Sequence, residues 1–292
     1  RRLALFIGEQ GEERRFGNVS SKTPSLDAVL RALLQRLAST ESPVSQRRGF
    51  LVSVACFDVL GIHSNPETMP ALLADAAVTE LTLGILAVLA CEAIGRTYVV
   101  TNLACVEKVV ELLKTQTVDS SLHIQALAAL QRLSLRRGPQ DRMIQLGLLE
   151  WVVQVVLGYH EESIQCMPSE FSLEFGSALL MNLALRSAGK KKCVELDTLT
   201  VALNLMEHMN PQIRTHINGT LYSLLSEPVF RARARHAGLE GVLKSIHSHA
   251  ASLGDEISRR QIEYLLGQLN PAQGGEAANE EDAESGEDDE DD

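Results

Sequence analysis

One pattern of helices returns along this sequence: a short polar helix, a second apolar helix, and a longer third helix ending in Leu and a small residue. Residues 140–147, 148–159 and 171–186 form one such unit, and residues 190–226 form the next. Apolar residues keep helical spacing through most of the chain, and no strand-like alternation appears. A regular repeat of this kind restricts the fold to an all-α stack in which each unit buries its apolar faces against its neighbours.

The length of the repeat identifies the kind of stack. The third helices align on leucines that are 44, 50 and 41 residues apart, near the roughly 40 to 47 residues of armadillo or HEAT units. We therefore predict an armadillo-type right-handed α-solenoid. The aligned leucines are Leu89, Leu133, Leu183 and Leu224.

The composition changes sharply at both ends of the repeats. Residues 1–24 are polar and Gly-rich, which predicts a mobile arm, and residues 25–270 carry the helical pattern. From Glu276 to Asp292 there are eleven acidic residues and no basic ones. Such a segment buries too little apolar surface to offset the entropy of ordering, so we predict that 271–292 is a disordered acidic tail.

Charge and cysteine content exclude several classes of function. A formal net charge of -11 argues against nucleic-acid or anionic-membrane binding. The five cysteines have no CxxC spacing, which is typical of a reducing compartment, and no apolar run has the roughly 20 residues needed to span a bilayer. We therefore expect a soluble intracellular protein.

Motifs that carry chemistry are absent from the sequence. It contains no HExxH, P-loop, GxGxxG or GxSxG pattern, so catalysis, nucleotide binding and a metal site have no sequence support. We expect a protein without enzymatic activity and without a cofactor. Ser285, in the context AESGEDDE, is a candidate phosphorylation site, because acid-directed kinases favour such surroundings.

Basic residues recur where a third helix passes into the first helix of the next repeat. Equivalent corners align in a stacked solenoid, so these residues are expected to form a positive edge, called here the basic ridge. It has two interpretations: solubilising charge, or a site for an acidic partner or for the protein's own tail. The basic ridge comprises Arg136, Arg137, Arg142, Arg186, Lys190, Lys191, Lys192, Arg231, Arg233 and Arg235.

Several segments also resemble a known family. ALAALQRLSLRR (126–137), MIQLGLLEWVVQVV (143–156), ALLMNLALRSAGKKKC (178–193), NGTLYSLLSEP (218–228) and RRQIEYLLGQLN (259–270) stand in this order before an acidic run. Together they closely resemble the LisH-domain-containing armadillo-repeat proteins of ciliary basal bodies. The resemblance covers roughly residues 80–292. The sequence carries no LisH signature, so self-association through that element is left open.

The resemblance implies a non-enzymatic scaffold in the cytoplasm and cytoskeleton, at the ciliary basal body, centriole and cilium. It implies roles in cilium assembly and axonemal microtubule stability. The implied partners are basal-body proteins and TOG-array microtubule-associated proteins. A general cytosolic armadillo adaptor of a non-ciliary pathway is the alternative. Direct microtubule binding is disfavoured, because tubulin surfaces are acidic and would repel the tail.

Armadillo proteins that capture extended peptides carry a ladder of Trp and Asn on their third helices. The Trp-equivalent positions here hold Gly84, Ala128, Ala178 and Gly219. Val88, Arg132, Asn182 and Ser223 occupy the Asn-equivalent positions. One Asn and no Trp argue against import-type peptide capture, and Arg132, Asn182 and Ser223 are kept as groove candidates. For Asn182 two roles stand: binding a partner backbone, or a hydrogen bond between helices.

Overall fold

A computed structural model describes residues 25–157 and 168–271, and all the regular structure within those ranges is helical. The predicted all-α class is therefore confirmed. The predicted arm, residues 1–24, and all of the predicted tail except Pro271 lie outside the described residues, so the predicted domain bounds stay a prediction. In the described ranges no helix is both long and apolar enough to cross a bilayer.

The described helices follow the predicted order of short, apolar and long segments. A π-helical stretch, Val152–Leu157, continues the ninth helix. The helices are α1 (Leu26–Ala38), α2 (Val44–Cys56), α3 (Thr68–Ala74), α4 (Thr79–Leu89), α5 (Ala93–Val100), α6 (Leu103–Thr115), α7 (Ser121–Leu133), α8 (Arg137–Gln145), α9 (Leu148–Trp151), α10 (Glu170–Leu183), α11 (Ser187–Glu195), α12 (Thr198–Leu205), α13 (Pro211–Leu224), α14 (Pro228–His236), α15 (Leu239–Leu253) and α16 (Glu256–Leu269).

The chain divides into two compact units, unit 1 from Arg1 to Thr220 and unit 2 from Leu221 to Asp292. In unit 1 the third helices α1, α4, α7 and α10 pack on one another in sequence. The first helices α2 and α5 also pack together, as do α8 and α11. Helix α1 thus occupies a third-helix position.

Serine residues begin three of the stacked third helices. The Oγ of Ser25, Ser120 and Ser169 each accepts a hydrogen bond from the amide three residues later, at 3.4, 3.3 and 3.2 Å. Ser, with its short oxygen-bearing side chain, satisfies an amide that has no partner within the helix. These caps set the starts of α1, α7 and α10 and therefore help to set the register of the repeat.

A carboxylate from one repeat holds the start of the next third helix. Asp119, in the turn between α6 and α7, has a left-handed backbone with φ of 64°. Its Oδ1 accepts hydrogen bonds from the Oγ of Ser169 and of Ser172, both at 2.5 Å, and its Oδ2 accepts from the Ser169 amide at 2.7 Å. Burial tends to raise the pKa of this carboxyl, but the bonds from Ser169 and Ser172 bring it below its usual value.

Two glycines allow first helices to cross the ends of third helices at close range. A Cβ on Gly95 would lie 2.1 Å from the Leu89 carbonyl oxygen, and a Cβ on Gly189 would lie 1.9 Å from that of Leu183. Both glycines are the third residue of their helix, α5 and α11. No side chain fits between the backbones there, so glycine determines how tightly these corners close.

Unit 2 is built on the packing of α15 against α16, with α14 packed on both helices. Phe230 of α14 is 2% exposed, and α15 and α16 contribute the fully or almost fully buried residues Leu239, Leu243, Ile262, Leu265 and Leu269. The apolar residues of α16 recur three and four apart, which is the spacing of one buried helix face.

Candidate protein-interaction surfaces

The ridge residues of unit 1 lie at the corners between repeats, and several of them bind the neighbouring repeat. Arg136 and Arg186 are the N-cap residues of α8 and α11. Arg136 Nη2 donates to Thr97 Oγ1 at 3.1 Å. Arg186 donates from Nε and Nη2 to the two carboxylate oxygens of Asp141, at 2.9 and 3.3 Å. Each of these arginines therefore joins a corner to the preceding first helix.

Two further ridge residues pair with carboxylates of second helices. Arg142 Nε lies 2.8 Å from Glu107 Oε1 on α6. Lys192 Nζ lies 3.2 Å from Glu150 Oε1 on α9 and 3.7 Å from Glu195 Oε2 on its own helix. The hydrogen bond with Glu150 and the two negative charges raise the pKa of Lys192. These cations are partly neutralised by acids of the fold.

The other ridge residues of unit 1 differ in exposure. Arg137 and Lys191 are exposed, whereas Lys190 is half-buried. Lys190 is the fourth residue of α11. Leu135 and Leu185, at two equivalent corners, are 53% and 59% exposed, so apolar side chains lie among the charges.

The fourth residue of a first helix has a recurring structural role. Arg96 Nη1 donates to the Ala90 carbonyl oxygen at 3.0 Å, and Gln140 Nε2 donates to that of Ser134 at 2.7 Å. Each acceptor ends the preceding third helix, where carbonyl groups have no partner within the helix and the helix dipole is negative. These side chains therefore close the ends of α4 and α7.

In unit 2 all three ridge residues lie on α14. Arg231, its fourth residue, donates from Nη1 to the Leu225 carbonyl oxygen at 3.2 Å, as the pattern in unit 1 implies. Arg235 donates from Nε to the Leu269 carbonyl oxygen at 2.9 Å and makes a second, shorter contact with it from Nη2. Arg233 is exposed.

The groove candidates are largely engaged within their own unit. Asn182 is 5% exposed, and its Nδ2 donates to Ser134 Oγ at 2.8 Å, which joins α10 to the end of α7. Arg132 is half-buried and donates from Nη1 to the Ala87 carbonyl oxygen at 3.4 Å. Ser223, in unit 2, is 9% exposed.

An aromatic pair that the sequence analysis missed lies beside Arg132. The rings of Phe171 and Phe175 on α10 stack with centroids 4.2 Å apart, and both residues are half-buried. The Arg132 guanidinium lies 5.7 Å from the Phe175 centroid, within the range of a cation–π contact. The signal was available, because aromatic residues four apart share one face of a helix.

Small residues at the Trp-equivalent positions of unit 1 match close helix packing. A Cβ on Gly84 would lie 3.1 Å from Leu34 Cδ2, and one on Gly219 would lie 2.6 Å from Met181 Sδ. Ala128 and Ala178 are 6% and 5% exposed. The neighbouring third helices occupy the space that tryptophan rings would need.

The described part of the chain offers no metal site, and it does not include the candidate phosphorylation site. No group of three or more His, Cys, Asp or Glu residues there has the spacing to hold a metal ion. Ser285 lies outside the described residues.

The comparisons with known proteins agree with this architecture. The family model for the armadillo repeats of LisH domain-containing protein ARMC9 matches residues 143–270. The ARMC9 protein of Bos taurus is 35% identical over 247 residues, which are 83% of this chain and 36% of the relative. That of Homo sapiens is 35% identical over 247 residues, 83% of this chain and 29% of the relative.

The resemblance to the LisH-domain armadillo-repeat family is confirmed. The ARMC9 protein of Danio rerio is 38% identical over 180 residues, 61% of this chain and 21% of the relative. The chain therefore spans about a third of the length of the curated relatives that it matches, or less.

Solved structures show the same fold at lower identity. Computationally designed armadillo repeat proteins for modular peptide recognition match with a TM-score of 0.59 and 17% identity, covering 82% of this chain and 100% of theirs. A crystal structure of an engineered protein matches with a TM-score of 0.62 and 18% identity, covering 92% and 99%. The predicted armadillo-type fold is confirmed.

Proposed function

We propose that this chain is a non-enzymatic armadillo-repeat scaffold that acts at the ciliary basal body and cilium. It supports cilium assembly and axonemal microtubule stability by binding other proteins, among them basal-body and TOG-array microtubule-associated proteins. The observation that carries the proposal is the similarity to ARMC9 proteins over 83% of the chain.

The surface of unit 1 supports binding through its corners. Arg136, Arg186 and Lys192 hold the repeats together, so they are poorly placed to bind a partner as well. Arg137 and Lys191 are exposed, and the exposed Leu135 and Leu185 lie in the same corner segments. A partner segment with both acidic and apolar side chains fits this surface.

Location in ciliated cells tests the proposal most directly. A fluorescently tagged chain is expected to concentrate at the ciliary base, together with a basal-body marker. Diffuse cytosolic fluorescence would contradict the proposal and would favour the general adaptor. Co-sedimentation of the purified chain with microtubules at low and physiological salt separates direct binding from recruitment through partners.

Affinity purification from the same cells tests the corner surface. We expect Arg137→Glu combined with Lys191→Glu to reduce recovery of basal-body and TOG-array proteins, while the chain stays folded. Arg31→Glu combined with Arg48→Glu is the matched control, because it reverses two charges on exposed side chains of α1 and α2. Equal recovery with both pairs would exclude this surface as the interface.

A further inference from the structure

Helix α14 concentrates positive charge at one place in unit 2. Arg231, Arg233 and Arg235 alternate along it, and His236 follows. Arg231 and Arg235 donate hydrogen bonds to main-chain carbonyl oxygens. A carbonyl oxygen has no net charge to cancel that of a guanidinium group, so these contacts leave the positive charge in place.

Two carboxylates lie near α14. Glu227 is its N-cap residue. Glu240, at the start of α15, pairs with Lys244 Nζ at 2.6 Å and also interacts with Arg235 and the Asn270 side chain. Glu240 is therefore shared among several groups, and α14 with its surroundings keeps an excess of positive charge.

The same contacts place the exit of the chain from the fold beside α14. Arg235 binds the carbonyl oxygen of Leu269, the last residue of α16. Glu276, the first acid of the tail, comes seven residues later, a span of up to about 23 Å. A nine-residue helix is only about 13 Å long, so the whole of α14 is within reach.

We propose that the acidic segment 276–292 docks on α14 of its own chain, its carboxylates pairing with Arg231, Arg233 and Arg235. Eleven acidic residues and no basic ones make this segment complementary to the helix. A guanidinium group suits the site, because it keeps donors for a carboxylate while it binds a carbonyl oxygen.

The docked contact is expected to be weak. Exposed pairs of this kind contribute little singly and are screened by salt. The short tether compensates, because it gives the tail an effective concentration in the millimolar range. An acidic partner would therefore have to displace the tail from α14. Acidic ligands that bind α14 weakly would be excluded by this competition. The proposal does not depend on the cellular location of the protein.

Zero-length carbodiimide crosslinking of the full chain tests the contact. The reagent joins carboxylates to amines, and Lys244 is the one lysine in residues 221–292. Its side chain is 66% exposed on α15, four residues from Glu240. In about 20 mM salt we expect intrachain peptides that link residues 276–292 to Lys244, and their loss in about 500 mM salt. The Glu240–Lys244 link serves as the internal reference.

Charge reversal identifies the arginines as the cause. Arg233→Glu is expected to lower the yield of the tail link about two- to fivefold, the range that one exposed pair supports. Arg48→Glu changes the net charge equally at an exposed site of unit 1 outside the basic ridge and is expected to leave the yield unchanged. Thermal unfolding checks that both variants fold.

A variant of the tail tests the same contact even if Arg233→Glu prevents α14 from folding. Glu280→Gln, Glu281→Gln and Asp282→Asn leave every described residue intact and are also expected to lower the yield. Equal yields in the wild type, Arg233→Glu and the tail variant would overturn the proposal. Preferential links to Lys190, Lys191 or Lys192, or links only between chains, would overturn it as well.

Discussion

Helices α11 and α14 are alike in sequence, yet their charges have different surroundings. Each has nine residues, opens a repeat and carries three basic residues in its ridge segment. In unit 1, Arg186 and Lys192 pair with carboxylates of neighbouring helices. In unit 2, Arg231 and Arg235 bind carbonyl oxygens. Equal charge in the sequence therefore leads to ion pairs with neighbouring helices in α11 and to hydrogen bonds with main-chain carbonyl oxygens in α14.

The two helices also differ in the size of their third residue. Gly189 lets the backbone of α11 cross the end of α10 at close range. Phe230, in the same place on α14, is a large side chain that is 2% exposed. Helix α11 is thus positioned by backbone contact and ion pairs, whereas α14 is anchored by one buried ring.

Removing that ring is expected to have the largest effect on stability. Phe230→Ala should lower the free energy of unfolding by about 3 to 5 kcal/mol, because it removes apolar contacts and leaves a cavity. Val229→Ala is the matched control, since Val229 is 58% exposed and should change stability by less than about 0.5 kcal/mol. Urea denaturation followed by circular dichroism measures both. Similar midpoints for the two variants would contradict anchoring by Phe230.

Adding a methyl group to the close corner is expected to cost less. Gly189→Ala should destabilise by about 2 to 3 kcal/mol, because the new Cβ meets a backbone oxygen that has little room to move. Gly138→Ala, also in a first helix, has nothing within 4 Å and should be neutral or slightly stabilising. The same denaturation measurement applies, and a neutral Gly189→Ala would show that the corner opens freely.

The ion pair at the start of α11 is expected to contribute a smaller amount. The side chains of Arg186 and Asp141 are 21% and 44% exposed, so solvent still screens them. A double-mutant cycle with Arg186→Gln and Asp141→Asn should give a coupling energy of about 0.5 to 1 kcal/mol that decreases with salt. A coupling energy of zero at low salt would show that this ion pair does not help to position α11.

The pKa of Lys192 tests a single ion pair, the one between Lys192 and Glu150. Its pKa is raised in the fold, so any stability it contributes is present below the unfolded value of about 10.4 and is lost as pH rises through the folded value. NMR titration of the lysine Cε signals should place its pKa above that of an unperturbed lysine. Glu150→Gln should lower it toward the ordinary value, and an unchanged pKa would exclude Glu150 as the cause.

The third helices were the most predictable part of the fold. The leucines aligned in the sequence are the last residues of α4, α7, α10 and α13. Their apolar spacing is strong, and Ser caps mark the starts of α7 and α10. The ends and order of these helices therefore follow from local sequence signals.

The first helices were predicted with the wrong starts. The sequence pattern begins two of them at residues 140 and 190, whereas α8 and α11 begin three residues earlier. Their N-cap residues are Arg136 and Arg186, which are not of the usual capping types. The sequence carries no capping signal at these two starts, and hydrogen bonds of Arg136 and Arg186 to the preceding first helix hold them in place.

The sequence by itself determined the helical class, the period of the repeat, and the corners at which basic residues recur. Only the tertiary structure decided which of these residues bind carboxylates and which bind carbonyl oxygens. Asp141 lies 45 residues before Arg186, and Leu269 lies 34 residues after Arg235. Residues so far apart meet only when the helices stack, and no local pattern encodes the partner that each guanidinium group finds.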